Sequence, residues 1–327
     1  MELDSVRLGS TGLRVSELAL GTARFGNERE DGTVEIDRST AQDLLDRYAA
    51  AGGNFLDLAD VYGGGDAERY VGDWLEGRDR EEVVLASKIY WPTDHDDPNA
   101  RGLNRKHLRR GLDRILDRLG TDYLDLLYVH RWDEDTPVRE FLTTLNGFVE
   151  DGRVHYLGAS NRAPNAWQVA RANVIARQEG YEPFATTQIV FNLVDRGVEP
   201  EFLPMVEELG LGLVPFSPLA GGFLTGKYDR DGAPPLGSRG AREERFQEQY
   251  LTGENFDALE TVEAVADELD ASPVAVALAW LCAHPAVTSP VVGPRTVAQL
   301  EENLAATTLD LDDDTFERLD SVMSSPY

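Results

Sequence analysis

The sequence places an acid and a phenol five residues apart, just after a short apolar run. Residues 54–65 read NFLDLADVYGGG, in which Asp57 and Tyr62 follow Phe55 and Leu56 and precede three glycines. A phenol donates a proton poorly near neutral pH unless a nearby cation lowers its pKa. The pair therefore indicates proton chemistry and predicts that a lysine arrives from another part of the chain.

Strand-like apolar runs alternate with amphipathic helical stretches along the chain. The runs cover residues 18–20, 55–58, 83–86, 124–129, 156–159, 187–191, 212–216 and 287–292. The helical stretches cover residues 41–50, 106–119, 138–150, 166–177, 202–209, 258–269 and 297–306. Strands buried on both faces with helices between them form a parallel sheet, and eight such units close most economically into a barrel. The sequence predicts a single-domain α/β (β/α)8 TIM barrel over residues 1–327, with an open doubly wound sheet as the alternative.

Three segments lie outside this alternation. VRLGSTGLRVSELALG, before the first strand, alternates in polarity around Ser10 to Gly12 and predicts a hairpin that plugs the barrel floor. Residues 221 to about 251 are rich in Gly, Pro and charge, and a connection of that length is usually functional. Residues 311–323 predict a capping helix that begins at a run of aspartates.

The carboxyl ends of the predicted strands supply the expected lysine. In barrels of this kind the site forms where strands run into the following loops. Lys88 ends VLASK and His130 ends LLYVH. Because neighbouring strands lie about 4.8 Å apart, these two residues can meet Asp57 and Tyr62, and we call the four the strand-end tetrad.

The chemistry of the strand-end tetrad follows from its residue types. Lys88 would stabilise a tyrosinate and lower the pKa of Tyr62, which is then the general acid. Asp57 would hold Lys88 in place and charged. His130 would donate a hydrogen bond to a carbonyl oxygen. None of the four supplies a hydride, so carbonyl reduction would require a nicotinamide cofactor.

Each member of the tetrad also has an ordinary structural explanation. Asp57 could cap a turn, Tyr62 could be a rim aromatic, Lys88 a surface residue and His130 a packed core histidine. Their convergence on one ring of strand ends favours a site. No metal site is predicted, because the five histidines show no HxH or HExxH spacing and the lone cysteine, Cys282, has no partner.

Charge and hydropathy exclude several classes of partner. Lys and Arg number 31 against 59 Asp and Glu, a net charge of −28, which repels nucleic acid and anionic membranes. No run approaches the roughly 18 apolar residues of a membrane span, and no secretory signal is evident. The sequence predicts a soluble, cytoplasmic protein, and the single cysteine suits a reducing compartment. The acidic excess suggests a halophilic origin, with an ordinary acidic surface as the alternative.

Longer motifs resemble those of the aldo-keto reductase superfamily, and the resemblance covers nearly the whole chain. The matching pieces are LALGTARFG, NFLDLADVYG, LASKIYW, YLDLLYVHRWD, GRVHYLGASN, QIVFNLVDR, LVPFSPLAGGFLTGKY and VVGPRTVAQLEENLAA. GGFLTGKY and QLEEN are closest to the branch of bacterial and archaeal reductases and potassium-channel beta subunits. The resemblance implies that the strand-end tetrad is the catalytic tetrad and that NADPH, rather than NADH, is the hydride donor.

The resemblance also implies a set of cofactor-binding residues. No GxGxxG follows a first strand, so the phosphates must be recognised elsewhere. Ser160, Asn161 and Gln188 match residues that bind the nicotinamide carboxamide, and Phe216 matches the aromatic that stacks on the ring. Arg295 precedes a helix N-terminus, which favours an anion such as a 2′-phosphate. The other implied cofactor residues are Gly21, Thr22, Ser217, Leu219, Gly221, Lys227, Arg239, Gly293, Gln299, Glu302 and Asn303.

Four aromatic residues predict a mostly apolar substrate pocket beside the tetrad, although each could instead pack beneath a loop. They are Phe25, Tyr90, Trp91 and Trp132. The first hypothesis is a reversible NADPH-dependent reductase of small-molecule aldehydes or ketones. The alternative is an NADPH-binding, redox-sensing subunit with little turnover, and the pattern fits a monomer and a homo-oligomer equally. A third candidate, a barrel isomerase or sugar-processing enzyme without nicotinamide, is disfavoured because the strand ends carry no paired carboxylates and because it leaves the GASN and QLEEN motifs unexplained.

Overall fold

The structure is a computed structural model that describes residues 2–29, 31–161 and 165–323. In these residues an antiparallel hairpin precedes eight parallel strands. The strands are Ser5–Arg7 (β1), Arg14–Ser16 (β2), Ala19–Gly21 (β3), Phe55–Asp57 (β4), Val84–Ile89 (β5), Leu124–Val129 (β6), Val154–Asn161 (β7), Phe184–Ile189 (β8), Gly212–Leu213 (β9) and Val291–Val292 (β10). The parallel strands pair in the order β10-β3-β4-β5-β6-β7-β8-β9.

Hydrogen bonds beyond the ladders join the two ends of this curved sheet. The Thr288 amide donates to the Leu213 carbonyl at 2.8 Å, and the Val291 amide donates to the Pro215 carbonyl at 2.8 Å. The final strand therefore lies against both β3 and the segment that follows β9. The predicted eight-stranded α/β barrel is confirmed, and the open sheet is not what the chain forms.

Helices surround the strands. Those in the described residues are Arg38–Ala50 (α1), Asp66–Leu75 (α2), Arg105–Leu119 (α3), Val138–Glu150 (α4), Ala166–Glu179 (α5), Glu199–Leu209 (α6), Arg239–Arg242 (α7), Glu244–Tyr250 (α8), Gly253–Glu268 (α9), Pro273–Ala283 (α10), Val297–Ala305 (α11) and Asp313–Asp320 (α12). Local caps define several ends. For example, the Asn104 side chain accepts the His107 amide at the start of α3, and Gly120 ends that helix with a φ of 63°. Helix α2 lies outside the helical stretches named from the sequence.

The N-terminal hairpin and the C-terminal helix are present as predicted. Leu8 and Val15 of the hairpin region are fully buried in one core cluster with strand residues such as Leu126. This contact explains why the segment alternates in polarity. The C-terminal helix, α12, packs against α9 and α10, and Arg318 pairs with Glu268.

Two predicted strands are shorter than expected. Residues 212–216 and 287–292 each contain only a two-residue strand, β9 and β10. Pro215 and Pro290 account for this, because proline has no amide hydrogen to donate to a ladder. Conversely, β5 extends to Ile89, so Lys88 lies inside a strand rather than in a loop.

The long segment after β9 is partly helical. It contains a 3₁₀ turn at Ala220–Thr225 and the short helices α7 and α8. Phe246 and Tyr250, one helical turn apart in α8, are both buried. Burial of these two side chains anchors α8 to the core, in a segment whose composition predicted an irregular loop.

Candidate active site

Lys88 and Asp57 form a buried ion pair at the carboxyl end of the barrel. The Lys88 Nζ lies 2.7 Å from each carboxylate oxygen of Asp57 and donates to the Leu58 carbonyl at 2.7 Å. Lys88 is 0% exposed. Burial acts to lower the pKa of Lys88, but the charges of Asp57 and Tyr62 outweigh it and raise that pKa. The ammonium is therefore charged at neutral pH.

Tyr62 lies beside this ion pair. Its hydroxyl is 3.4 Å from the Lys88 Nζ, and that nitrogen lies 5.0 Å from the centre of the tyrosine ring. Burial raises the pKa of Tyr62, and the charge of Lys88 counteracts part of this rise. The expected influence of Lys88 is thus present, but the prediction of a net lowering is wrong because desolvation is larger.

His130 completes the convergence of the strand-end tetrad. It follows β6, and its ring meets that of Tyr62 edge-on with 5.9 Å between centroids. Its Nδ1 is buried and has no hydrogen-bond partner in the described part of the chain. Burial, assisted by the charge of Lys88, holds the pKa of His130 well below its usual range. The imidazole is therefore neutral and retains one N–H with which it can donate.

The three glycines after Tyr62 are required by the turn that carries it. Gly63, Gly64 and Gly65 have φ values of 56°, 63° and 98°, in the region that side chains disfavour. A Cβ on Gly63 would lie 2.3 Å from the Phe25 carbonyl oxygen, and one on Gly65 would lie 2.4 Å from the Arg118 Cζ. Two of these glycines therefore permit close approach as well as an unusual backbone.

Asp57 has partners that the sequence did not indicate. The Gln188 Nε2, on β8, donates to the Asp57 Oδ1 at 2.7 Å. The backbone amide and the hydroxyl of Thr22 each donate to the Asp57 carbonyl at 3.0 Å. Gly21 pairs with Asp57 between β3 and β4. Residues implied to bind the cofactor thus also hold the tetrad aspartate.

The other implied nicotinamide residues lie at neighbouring strand ends. Ser160 pairs with Gln188 between β7 and β8 and is 5% exposed. Asn161 ends β7, and its side chain lies outside the described residues. The Phe216 amide donates to the Ile189 carbonyl at 2.9 Å, which places this aromatic residue beside the end of β8.

The chain after Phe216 forms a strained, glycine-rich turn. Ser217 and Ala220 have positive φ values of 56° and 50°, although neither is glycine. The Asn192 side chain holds the first of them by donating to the Ser217 carbonyl at 3.0 Å. Leu219 precedes the 3₁₀ turn and is partly buried. Positive φ outside glycine is uncommon and is found at ligand-binding turns.

Two cationic side chains lie directly over this turn. A Cβ on Gly222 would be 2.7 Å from the Lys227 Nζ, and one on Gly221 would be 3.2 Å from the Arg239 Nη1. A larger residue at either glycine would displace the cation. A turn with close backbone access and two overlying cations fits a pyrophosphate.

Arg295 lies in a group of cations that the sequence only partly revealed. Burial, together with the charges of Arg24 and Arg242, lowers the pKa of Arg295, and Glu35 opposes this shift. Arg24 donates to both carboxylate oxygens of Glu35, at 3.0 and 2.9 Å. The Gln299 Oε1 accepts the Arg295 amide at 2.8 Å. Arg24 and Arg242 were missed because they lie far from Arg295 in sequence.

Comparison with known proteins shows which family this chain belongs to. The model of the aldo/keto reductase family matches residues 17–324. The chain belongs to the aldo/keto reductase family. It is therefore an oxidoreductase of a family that reduces carbonyl groups with NAD(P)H.

Three similar proteins illustrate the range of this family. YrpG, an uncharacterized oxidoreductase of Bacillus subtilis, is 38% identical over 98% of this chain and 95% of that protein. Norsolorinic acid reductase of Aspergillus flavus is 36% identical over 95% of this chain and 78% of its own length. A probable voltage-gated potassium channel subunit beta of Oryza sativa is 37% identical over 91% of this chain and 89% of that protein.

The remaining implied cofactor residues of this aldo/keto reductase lie near the last strand and helix. Gly293 follows β10 and is exposed. In α11, Glu302 is exposed and Asn303 is buried. Gln299 and Glu302 thus present accessible side chains on α11, whereas the side chain of Asn303 is mostly covered.

The four aromatic residues predicted for the substrate pocket separate into two groups. Trp91 is 38% exposed, and its ring meets those of Tyr90 and His130 edge-on, with centroids 5.3 and 6.2 Å apart. Phe25 is fully buried, and Trp132 is buried and packs edge-on against a residue of α4. In this aldo/keto reductase, Tyr90 and Trp91 thus border the tetrad, while Phe25 and Trp132 contribute packing.

Two kinds of feature are absent from residues 2–29, 31–161 and 165–323, a membrane-spanning helix and a metal-binding cluster. No helix there has the length and apolar character needed to cross a membrane. No group of three or more His, Cys, Asp or Glu side chains in this part of the aldo/keto reductase is arranged to hold a metal ion.

Proposed function

We propose that this aldo/keto reductase catalyses the reversible NADPH-dependent reduction of aldehydes or ketones, with Tyr62 as the general acid. The observation that carries the proposal is the buried Lys88 Nζ, 2.7 Å from the Asp57 carboxylate and 3.4 Å from the Tyr62 hydroxyl. A buried ammonium beside a phenol favours the tyrosinate that remains after proton donation. The family supports the reaction class, and this geometry supports the proposal that Tyr62 is the acid.

Each member of the tetrad has a separate task. Tyr62 donates its proton to the carbonyl oxygen as that oxygen becomes negative. Lys88 stabilises the resulting tyrosinate, and Asp57 keeps Lys88 charged and in position. His130, which is neutral, donates a hydrogen bond that orients the carbonyl and stabilises charge as it develops on the oxygen.

The strand ends and the turn after Phe216 would hold the cofactor. Bound NADPH would supply the hydride to the carbonyl carbon. Ser160, Asn161 and Gln188 would fix the carboxamide, and Phe216 would cover the ring. The residues that would hold the phosphates and adenosine are Ser217, Leu219, Gly221, Lys227, Arg239, Arg295, Gln299, Glu302 and Asn303.

A tyrosine substitution tests the acid. In Tyr62→Phe we expect the rate of aldehyde-dependent NADPH oxidation to fall by roughly 10²- to 10⁴-fold, because general acid catalysis contributes that much. NADPH affinity, measured by fluorescence quenching, should change little. Tyr181→Phe, at a partly exposed tyrosine outside the tetrad, is the matched control and should react at the normal rate. Near-normal turnover in Tyr62→Phe would remove the assignment.

The likeness to the rice channel subunit favours a second candidate, an NADPH-binding subunit with little turnover. The two candidates differ in how fast bound NADPH is oxidised by a carbonyl substrate. We propose that this chain turns over many times, because all four members of the tetrad are present and converge. Turnover no faster than that of Tyr62→Phe with every aldehyde and ketone in a broad panel, at tight NADPH binding, would favour the binding subunit. The predicted cytoplasmic location is part of the first proposal.

A further inference from the structure

Behind the tetrad lies a buried polar cluster that the proposed mechanism does not use. Glu68, in the first turn of α2, is 0% exposed and accepts the Ser87 hydroxyl at 2.7 Å. Arg118, near the end of α3, donates from Nη1 to the Glu68 carboxylate at 3.0 Å. The same Nη1 donates to the backbone carbonyl of Asp60 at 2.9 Å. We call Asp60, Glu68, Ser87 and Arg118 the rear cluster.

The rear cluster connects to both sides of the Lys88–Tyr62 contact. Ser87 directly precedes Lys88 in β5, so the hydroxyl bonded to Glu68 belongs to the neighbour of the lysine. Asp60 precedes Tyr62 by two residues. Its amide donates to the Lys88 carbonyl at 3.1 Å, while its carbonyl accepts Arg118. The turn that carries Tyr62 is therefore held between the backbone of β5 and one guanidinium.

The glycine turn is built around this guanidinium. A Cβ on Gly65 would lie 2.4 Å from the Arg118 Cζ, so any side chain there would displace Arg118. A Cβ on Gly72 would lie 2.4 Å from the Arg118 carbonyl oxygen, which shows how closely α2 and α3 pack at this level. Both glycines keep the arginine within reach of the Tyr62 turn.

The position of Tyr62 needs such support because its contact with Lys88 is long. At 3.4 Å, the separation exceeds the usual range for a hydrogen bond between nitrogen and oxygen. A small outward movement of the turn would remove the contact, and a misplacement of about 1 Å can reduce a rate roughly 100-fold.

We propose that Arg118, acting through Glu68, Ser87 and the Asp60 carbonyl, is a positioning residue that holds Tyr62 against Lys88. The inference rests on the proposed role of Tyr62. It goes beyond that role, because it makes a side chain on an outer helix responsible for the geometry of the acid.

Other charges also face these groups. The ones that act on Tyr62 are Lys88, Asp57 and Asp60, with the His130 ring beside it. Glu68, Arg118 and Arg114 act on Asp60, and Arg118 and Arg69 act on Glu68. A test must therefore separate a change of position from a change of charge.

The experiment compares Arg118→Met with Arg118→Lys and with Arg80→Met. Arg80 is the matched control, because its pair with Asp125 is similarly buried but lies at the opposite end of β5, where Asp125 accepts the Leu85 amide. Protein labelled at the tyrosine Cζ carbon gives an NMR resonance for Tyr62, which is assigned by its loss in Tyr62→Phe. The resonance is recorded without cofactor from pH 7 to the highest pH at which the protein stays folded, and kcat and the NADPH dissociation constant are measured separately.

We expect Arg118→Met to move the Tyr62 resonance at pH 7 and to delay its titration to higher pH, because the influence of Lys88 weakens. Its kcat should fall at least tenfold, with NADPH affinity within twofold of the wild type. Arg118→Lys should recover part of both effects. Arg80→Met should lower the melting temperature without either change.

The inference is overturned if folded Arg118→Met keeps the wild-type Tyr62 resonance and kcat, or if Arg80→Met alters both equally. If Arg118→Met does not fold, Ser87→Ala decides the matter. This smaller change removes only the hydroxyl that joins Glu68 to β5. We expect it to shift the Tyr62 resonance and lower kcat several-fold, and an unchanged resonance and rate would overturn the inference. A wild-type protein that reduces no carbonyl would defeat the proposed function, but the resonance would still test the role of Arg118.

Discussion

The strand-end tetrad and the cation group around Arg295 differ in how their charges are balanced. In the tetrad, the Lys88 ammonium lies 2.7 Å from the Asp57 carboxylate, and both groups are buried. Around Arg295, the charges of Arg24 and Arg242 act on a guanidinium for which Glu35 is the counteracting acid. A balanced ion pair is suited to proton transfer, whereas an excess of cations is suited to an anionic ligand. From this difference we expect that removing Lys88 destabilises the protein, whereas removing Arg295 leaves its stability unchanged or higher.

Removal of Lys88 should have the largest effect. In Lys88→Met we expect carbonyl reduction to fall by roughly 10³-fold and the protein to lose about 3–5 kcal/mol of stability, because the Asp57 carboxylate remains buried without its partner. The double variant Lys88→Met with Asp57→Asn should recover much of the melting temperature and none of the activity. A double variant as unstable as the single one would show that charge balance is not what stabilises the tetrad.

Removal of Arg295 should weaken cofactor binding without destabilising the protein. In Arg295→Ala the dissociation constant of NADPH should rise at least about tenfold, because the proposed charge-assisted contact to the 2′-phosphate would be lost. That of NADH should stay within about twofold. The cofactor-free protein should melt at the same or a higher temperature, because repulsion among the cations is relieved. Titration calorimetry with both cofactors and thermal denaturation provide the measurements, and an unchanged preference would remove the phosphate assignment.

Asp60 tests whether the charge balance extends behind the tetrad. Neither carboxylate oxygen of Asp60 accepts a hydrogen bond from another described residue, and burial, with the charge of Glu68, raises the pKa of this group to about 8. Its folded pKa lies above the unfolded value of 3.8, so the folded protein binds the proton more tightly. Stability from this group is therefore complete below about pH 4 and is lost as the pH rises towards 8.

Asp60→Asn removes this titration. We expect a melting temperature close to the wild type at pH 4 to 5 and several degrees above it at pH 8, with urea unfolding at the same pH values as a second measurement. Asp122→Asn, at an exposed aspartate, is the control and should show no such divergence. A constant gap between Asp60→Asn and wild type from pH 5 to pH 8 would contradict the raised pKa.

Added salt should affect the cation group around Arg295 more than the strand-end tetrad, and this is the smallest of the expected effects. The net charge of −28 predicts that the melting temperature rises by a few degrees in molar potassium chloride, because counterions screen the repulsion between acids. NADPH affinity should fall in the same series, because the cation group is partly exposed. The pH dependence of Tyr62 should barely move, since its partners are buried. A melting temperature that does not rise with salt would count against the halophilic hypothesis.

The sequence predicted which residues lie at strand ends more reliably than it predicted which side chains those residues contact. Asp57, Lys88 and His130 each end a strand-like run, and the rule that parallel strands present their carboxyl ends together was enough to group them. Gln188 was assigned only to the nicotinamide, yet it reaches across the barrel to Asp57. A contact between opposite strands leaves no local pattern.

By itself, the sequence determined the barrel and the chemistry of its strand ends, because hydrophobic periodicity and residue type are local properties of the chain. Tertiary structure alone decided the balance of forces on Tyr62, in which burial outweighs Lys88. It also decided that Arg118 reaches the Tyr62 turn past Gly65 and that Arg24 joins Arg295. These outcomes depend on distance and desolvation, which arise only when segments far apart in the chain are packed together.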